Sequence, residues 1–206
     1  MKNKYFNDAI IGGKDITASF TYHGEMLRLM HNTPDFRQFL DFFHTGVKIN
    51  DSCIIYLHED QNNRYNQYYT EDTNILNTEI ENTYFNLAIK QIDFVSNKNS
   101  VLIKRYIFKN NNVIDLNVNF LVHSKLLSNP NNMVGSKIED NVLMQYSHNN
   151  TVCMFSKKHI NAHQLNDTDN NIGSGVIHDK DYIGMCADSS INYELGIRKP
   201  GATKEL

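Results

Sequence analysis

Residues 114–122, with the sequence IDLNVNFLV, decide the fold class of this 206-residue chain. Apolar residues occupy nearly every second position and alternate with Asp115, Asn117 and Asn119. Side chains of a β-strand point to opposite faces in turn, so this pattern predicts a strand with one buried and one hydrated face. Such strands are typical of antiparallel sheets, because strands of parallel sheets are usually buried on both faces.

The segment before this strand alternates in the same way and then changes phase. Its apolar residues are Phe85, Leu87 and Ile89, followed one position late by Ile92 and Phe94. One extra residue would cause this slip, so we predict a β-bulge near Lys90 or Gln91. A further strand is predicted over residues 101–108, which makes residues 83–122 a three-stranded meander.

Period-two patterns continue along most of the chain. They predict further strands over residues 15–22, 25–31, 42–49, 52–58, 74–80, 141–147, 151–156, 175–183 and 190–196. The first two are joined at His23-Gly24, a connection of hairpin length. A short helix is predicted from Pro34 to Phe43, where Phe36, Leu40 and Phe43 would share a face. We therefore predict an all-β, antiparallel two-sheet sandwich that forms a single domain over residues 1–206.

Composition excludes several classes of protein. The net charge of −3 lacks the basic excess that binding to nucleic acid or an anionic membrane requires. The N-terminus carries no apolar run of signal-peptide length, so we predict a cytoplasmic protein. Cys53, Cys153 and Cys186 are too few and too far apart for a disulfide framework. The first two lie in apolar strand segments and are predicted to be small core residues.

The patterns that would carry chemistry are incomplete. The carboxylates considered for acid–base catalysis are Glu25, Asp35, Asp41, Glu79, Glu81 and Asp115, and none lies in a recognisable catalytic motif. His159 and His163 have metal-ligand spacing but lack a third ligand nearby. The segment from Asp167 to Asn171 starts like a calcium loop and then departs from the pattern. We therefore predict no catalytic, metal or cofactor site in this chain.

One segment, residues 11–47, carries a family resemblance. The matching positions are Gly12, Gly13, Ala18 to Phe20, Gly24-Glu25, Arg28-Leu29, Pro34, Asp35, Phe36 and Gln38. This order of turns, strands and a polar loop resembles the start of the N-terminal domain of bacterial glucoamylases in glycoside hydrolase family 15. Thr33 and the lack of Trp depart from the family pattern.

The resemblance implies a large two-sheet "supersandwich" packed beside an (α/α)6 barrel that holds the catalytic glutamates. The chain would then be a fragment of a larger glycosidase that hydrolyses α-glucosidic bonds, and it would support the barrel without catalysing the reaction. Its partners would be the catalytic domain of the same polypeptide and an α-glucan oligosaccharide. Asp35, Arg37 and Gln38 would lie at the domain interface or the edge of the cleft. Such a role also predicts an apolar patch on one face.

Two alternatives remain open from the sequence. Tyr65, Tyr68 and Tyr69, in the segment RYNQYY, could form an aromatic platform for sugar rings, as in a free-standing carbohydrate-binding module. The chain could also be a structural sandwich that self-associates.

Overall fold

The computed structural model describes residues 7–32, 38–50, 52, 54–126, 134–147, 150–165, 176–178, 189–197 and 203–206. Seventeen strands in this described part form three antiparallel sheets, and the same residues contain no helix. The predicted all-β antiparallel fold is confirmed. Among the described residues, there is no helix that is long and apolar enough to cross a membrane.

The strands follow the alternating segments of the sequence. The first nine are β1 (Ala9–Gly12), β2 (Ile16–Phe20), β3 (Met26–His31), β4 (Leu40–Ile49), β5 (Ile54–Tyr56), β6 (Asn63–Tyr69), β7 (Leu76–Asn82), β8 (Leu87–Val95) and β9 (Leu102–Asn110). The other eight are β10 (Leu116–Leu126), β11 (Val134–Glu139), β12 (Val142–Ser147), β13 (Asn150–Phe155), β14 (Ala162–Leu165), β15 (Val176–His178), β16 (Ser189–Ile197) and β17 (Thr203–Glu205). Every predicted strand has a counterpart among them.

The described strands divide into one large sheet and two smaller ones. The large sheet has nine strands in the order β1-β2-β3-β4-β10-β16-β14-β15, and β5 pairs with β4 off this path. The second sheet has five strands in the order β17-β9-β8-β7-β6. The third contains β11, β12 and β13 and is joined to β10 by a hydrogen bond from Ser124 Oγ to Gln145 Oε1 of 2.8 Å.

The two larger sheets share one apolar core and form the sandwich. Phe108 of β9 meets Phe120 of β10 with ring centroids 5.4 Å apart. Phe20 from the large sheet and Ile80 and Leu87 from the five-stranded sheet are also buried there. Burying these faces against each other removes apolar surface from water, which is the main favourable term in folding.

The hairpin at His23-Gly24 is confirmed. β2 pairs with β3, and Gly24 adopts a positive φ of 84° at the turn. Thr78 of the opposite sheet lies 3.0 Å from the position that a Cβ on Gly24 would take. Both the backbone conformation and the lack of space favour glycine here.

The predicted meander is wrong in its third strand. β8 and β9 pair along their whole length, but β10 crosses to the large sheet and pairs with β4 and β16. The short connection between β9 and β10 thus passes from one layer of the sandwich to the other, and alternation within a strand carries no information about which layer it joins.

The predicted bulge near Lys90 or Gln91 is also wrong. The ladders of β8 with β7 and with β9 run through both positions without a register shift. The change of phase has another cause: Gln91 and Asp93 are buried on the core face, whereas Ile92 and Phe94 point to the outer face and are half-buried.

The predicted helix is wrong over its described C-terminal part. Residues 40–43 belong to β4, and residues 33–37 lie outside the described part. In the ladder with β10, Lys125 faces Phe42 but Leu126 faces Leu40, so Asp41 is the extra residue of a bulge. Because of this bulge, Leu40 and Phe43 are both buried although they are three residues apart. Apolar residues at a spacing of three are also typical of a helix, which explains the wrong prediction.

Candidate functional site

Of the three residues predicted to lie at the domain interface, the structure describes Gln38. Asp35 and Arg37 lie outside the described residues. The Gln38 side-chain amide donates to the carbonyls of Leu27 at 3.0 Å and Leu40 at 2.6 Å. Its Oε1 is buried and meets no donor among the described residues. Gln38 therefore ties the end of the loop to β3 and β4. A contact of this loop with another domain stays a prediction.

A buried polar network lies on the core face of β8 and β9. Lys104 Nζ donates to Asp93 Oδ1 at 2.6 Å, and Gln91 Nε2 donates to Asp93 Oδ2 at 2.6 Å. The Gln91 amide also donates to the Gly24 carbonyl at 2.9 Å. The network therefore joins the inner face of the five-stranded sheet to the first hairpin of the large sheet.

The charges of this network are paired in a low-dielectric interior. Burial raises the pKa of Asp93, and the Lys104 ammonium and the Gln91 amide oppose that shift. Lys104 Nζ also lies over aromatic rings, 4.9 Å from the centroid of Phe20 and 5.5 Å from that of Phe43. These contacts stabilise the ammonium where water is excluded.

His58 forms a second buried link beside the same hairpin. Its Nδ1 lies 2.8 Å from the His23 carbonyl, and its Nε2 lies 3.0 Å from Thr45 Oγ1. Burial lowers the pKa of His58 to about 4. The ring is therefore neutral near pH 7; we assign it as an Nδ1–H donor to the carbonyl and an Nε2 acceptor for the Thr45 hydroxyl.

The three tyrosines of β6 do not share one surface. Successive residues of a strand point to opposite faces, and Tyr68 points away from the face that carries Tyr65 and Tyr69. The Tyr65 ring stacks on His23 with centroids 4.0 Å apart. The Tyr69 hydroxyl donates to the Ile10 carbonyl at 2.8 Å and accepts from the Ile10 amide at 2.9 Å. Both residues fasten β6 to the large sheet.

Tyr68 lies on the outer face of the five-stranded sheet among polar groups. Its hydroxyl donates to Glu79 Oε1 at 2.8 Å and accepts from Lys90 Nζ at 3.1 Å. Asn66 Nδ2 also reaches Glu79 Oε2 at 3.3 Å. Tyr68 is 39% exposed with its hydroxyl among polar side chains, whereas Tyr69 is 44% exposed but its hydroxyl is bound to the Ile10 backbone. Glycan binding there stays a prediction.

The described carboxylates named from the sequence have partners of different kinds. Glu25 pairs with His44 Nε2 at 3.2 Å, Asp41 pairs with Lys125 Nζ at 3.2 Å, and Glu79 contacts Tyr68. Glu81 and Asp115 are exposed, and Asp35 lies outside the described residues. An exposed ion pair such as that of Asp41 with Lys125 is typical of a structural sheet surface.

The metal and cysteine patterns lie partly outside the described residues. No group of three or more metal-ligating side chains occurs in the described part of the chain. The segment from Asp167 to Asn171, Cys53 and Cys186 cannot be placed because they fall outside it. Cys153 was predicted to be a core residue, and this is wrong, because it lies exposed on the edge strand β13.

An apolar stripe lies on the outer face of the five-stranded sheet. Phe94 of β8 lies beside Ile103 of β9 in the ladder, and Ile92 follows on the same face. Phe94 and Ile92 are half-buried, and Ile103 is 37% exposed. The apolar residues that changed phase in the sequence therefore form a candidate contact surface for another domain.

Comparison with known proteins gives one informative relation. A protein of Methanocaldococcus jannaschii named as an uncharacterized glycosyl hydrolase is 27% identical over 199 residues. This similarity relates the chain to glycoside hydrolases. The match covers 91% of this chain and 31% of the relative, so the chain spans about a third of the length of the protein it matches. No family model matches the chain.

The sequence did not reveal the residues that join the two sheets. Gln91, Asp93 and Lys104 carry the buried network, yet each looked like an ordinary polar residue in an apolar segment. One signal was available: Asp93 and Lys104 are equally distant from the turn between β8 and β9, so a hairpin register places the two charges side by side.

Proposed function

We propose that this chain is the non-catalytic N-terminal sandwich domain of a glucoamylase-like glycoside hydrolase and that it supports an (α/α)6 catalytic barrel in a longer polypeptide. The observation that carries the proposal is the extent of the match with the M. jannaschii relative. Nearly all of this chain aligns with about a third of a protein named as a glycosyl hydrolase. Two thirds of that relative are therefore available for a separate catalytic domain.

The arrangement of side chains supports a structural role. Glycoside hydrolysis needs two carboxyl groups across a cleft, about 5–9.5 Å apart. The fully buried carboxylate, Asp93, is neutralised by Lys104 and holds the sandwich together. Glu25 contacts His44 Nε2 at 3.2 Å, and Asp41 pairs with Lys125 Nζ at 3.2 Å on the sheet surface.

The contact with the barrel would use two surfaces. One is the loop that ends at Gln38, whose amide holds the end of the loop against β3 and β4. The other is the apolar stripe of Ile92, Phe94 and Ile103, which would be covered by the second domain.

The proposal is tested by assaying the purified chain for glucose release from maltooligosaccharides. We expect a rate of glucose release no higher than that of a matched preparation from cells that lack the gene. Turnover that co-purifies with the chain and disappears in a Glu25→Gln variant would place the active site here and overturn the proposal.

Tyr68 favours one alternative, a carbohydrate-binding module, because its ring is exposed within a polar rim. Calorimetry with maltoheptaose separates the two functions. Micromolar binding that is lost in Tyr68→Ala and kept in Tyr84→Ala, a control at another exposed tyrosine, would favour the module. Absence of binding favours the scaffold.

A further inference from the structure

β17 covers only part of the edge of β9. Thr203 to Glu205 pair with Lys109 to Ile107, and Leu206 extends the ladder by one residue. The Leu206 amide donates to the Tyr106 carbonyl at 2.9 Å, and the Tyr106 amide donates to the Leu206 carbonyl at 2.8 Å. β9 then continues for four more residues to Leu102.

The backbone of this uncovered part has groups directed to the open edge. The Val101 carbonyl accepts from Ser96 on the β8 side, and the direction alternates along a strand. Leu102 and Lys104 therefore direct their N–H and C=O groups to the same side as Tyr106. Within the described residues, no strand pairs with them on that side. An edge of this kind is a template for another strand.

A cavity of about 940 Å³ adjoins this edge. It lies between β9, the inner face of the large sheet and the edge strand β13, and its walls are mainly apolar. Prominent wall residues are Met26, Leu29, Phe43, Val122, Met154 and Leu206. A cavity that joins mainly apolar walls to backbone donors and acceptors that no described strand pairs with fits an extended peptide.

We propose that the edge of β9 from Arg105 to Leu102 binds an additional antiparallel strand that continues the line of β17. This inference rests on the proposed function, because the strand would belong to the longer polypeptide and would anchor the sandwich to the rest of the enzyme. Four residues at about 3.4 Å each span about 14 Å of β9.

The register specifies the chemistry of the strand. Its second and fourth residues lie opposite Lys104 and Leu102 and share their inward face, so they are apolar and fill the cavity. The residue opposite Lys104 is uncharged, because Asp93 already neutralises that ammonium. The first and third residues lie opposite Arg105 and Ile103 on the outer face, which is exposed in this chain by itself, so both are polar in the extensions tested below.

Two extensions fused after Leu206 test the proposal. One carries valine at the second and fourth added positions and threonine at the first and third. The control has the same composition with the two residue types exchanged. We measure amide hydrogen exchange at Leu102 and Lys104 by NMR, with the amide of Ile89 as an internal reference in a paired strand.

The first extension is expected to slow exchange at Leu102 and Lys104 by about tenfold or more, and the control to leave it unchanged. Equal protection by both extensions, protection by neither, or full protection in the unextended chain would each overturn the proposal. Amide exchange is measured independently of glucose release. A negative exchange result would therefore overturn the strand proposal without deciding the proposed function.

Discussion

Asp93 and Lys104 face each other across the β8–β9 hairpin, with Lys104 Nζ 2.6 Å from Asp93 Oδ1 in the interior of the sandwich. The Asp93 side chain is fully buried and that of Lys104 is 11% exposed. Removing two charges from water costs several kcal/mol per ion, and their attraction and hydrogen bonds offset that cost. Each charge therefore depends on the other.

Lys104→Met is expected to be strongly destabilising. The substitution keeps the apolar stem and leaves the Asp93 carboxylate without its cation. Breaking a buried pair in this way costs about 3–5 kcal/mol of unfolding free energy. Urea denaturation at pH 7 measures the change. The pKa of Asp93, already raised by burial, should rise further, so part of the loss should be recovered at acidic pH.

Lys90→Met is the matched control, because Lys90 Nζ lies 3.6 Å from Glu79 Oε1 on the exposed face of the same sheet. An exposed pair contributes about 0–1 kcal/mol. The double variant Asp93→Asn/Lys104→Met should regain most of the stability lost in Lys104→Met. Equal costs for Lys104→Met and Lys90→Met would contradict the importance of the buried pair.

His58 is expected to make the sandwich sensitive to acid. Its pKa is about 4 in the folded chain and about 6.5 when unfolded, so only the unfolded state binds the proton between these values. Stability from this group is therefore complete above about pH 6.5 and falls as the pH approaches 4, by about 3 kcal/mol. Urea denaturation from pH 7 to pH 4 measures the slope.

His58→Asn isolates this contribution from those of the other histidines. The asparagine amide can still donate to the His23 carbonyl, but it does not titrate. The variant should be less stable at pH 7, because the link to Thr45 is lost, and should show a flatter pH dependence. Parallel curves for the two proteins would show that His58 does not titrate on unfolding.

Gly24→Ala is expected to destabilise the first hairpin. A φ of 84° is unfavourable for a residue with a Cβ. The new methyl group would also lie 3.0 Å from the Thr78 side chain. We expect a loss of about 1–3 kcal/mol and a lower melting temperature. Gly12→Ala is the control, because its Cβ would meet Thr17 Oγ1 at 3.3 Å without a positive φ. A loss no larger than that of Gly12→Ala would refute the conformational argument.

The strands could be predicted from the sequence where one face is apolar, as in β10 and the β2–β3 hairpin. Partners joined by a short turn, as in β2–β3 and β8–β9, could be predicted too, but the placement of β10 could not, because alternation defines faces and not neighbours. The same limit explains the two misplaced irregularities. The bulge lies at Asp41 and mimics a helix, whereas the slip at Gln91 reflects buried polar residues in a regular strand.

The candidate site was less predictable than the fold. Gln38 was selected from a resemblance, and its contacts with β3 and β4 became clear only in three dimensions. The network of Gln91, Asp93 and Lys104 depends on the register of β8 with β9 and on the position of the Gly24 carbonyl across the core. A sequence pattern in one strand contains neither relation.

Tyr69→Phe is expected to loosen the edge of the large sheet. Its hydroxyl binds both the amide and the carbonyl of Ile10 in the edge strand β1, and removal of the hydroxyl leaves both backbone groups open to water or to another chain. We expect a loss of about 1–2 kcal/mol and faster amide exchange at Ile10. Tyr68→Phe is the control, because its hydroxyl contacts only exposed side chains, Glu79 and Lys90, and its loss should cost less than about 1 kcal/mol. Two results would show that Tyr69 does not hold the edge strand in place. One is unchanged amide exchange at Ile10 in Tyr69→Phe, and the other is a larger loss of unfolding free energy in Tyr68→Phe than in Tyr69→Phe.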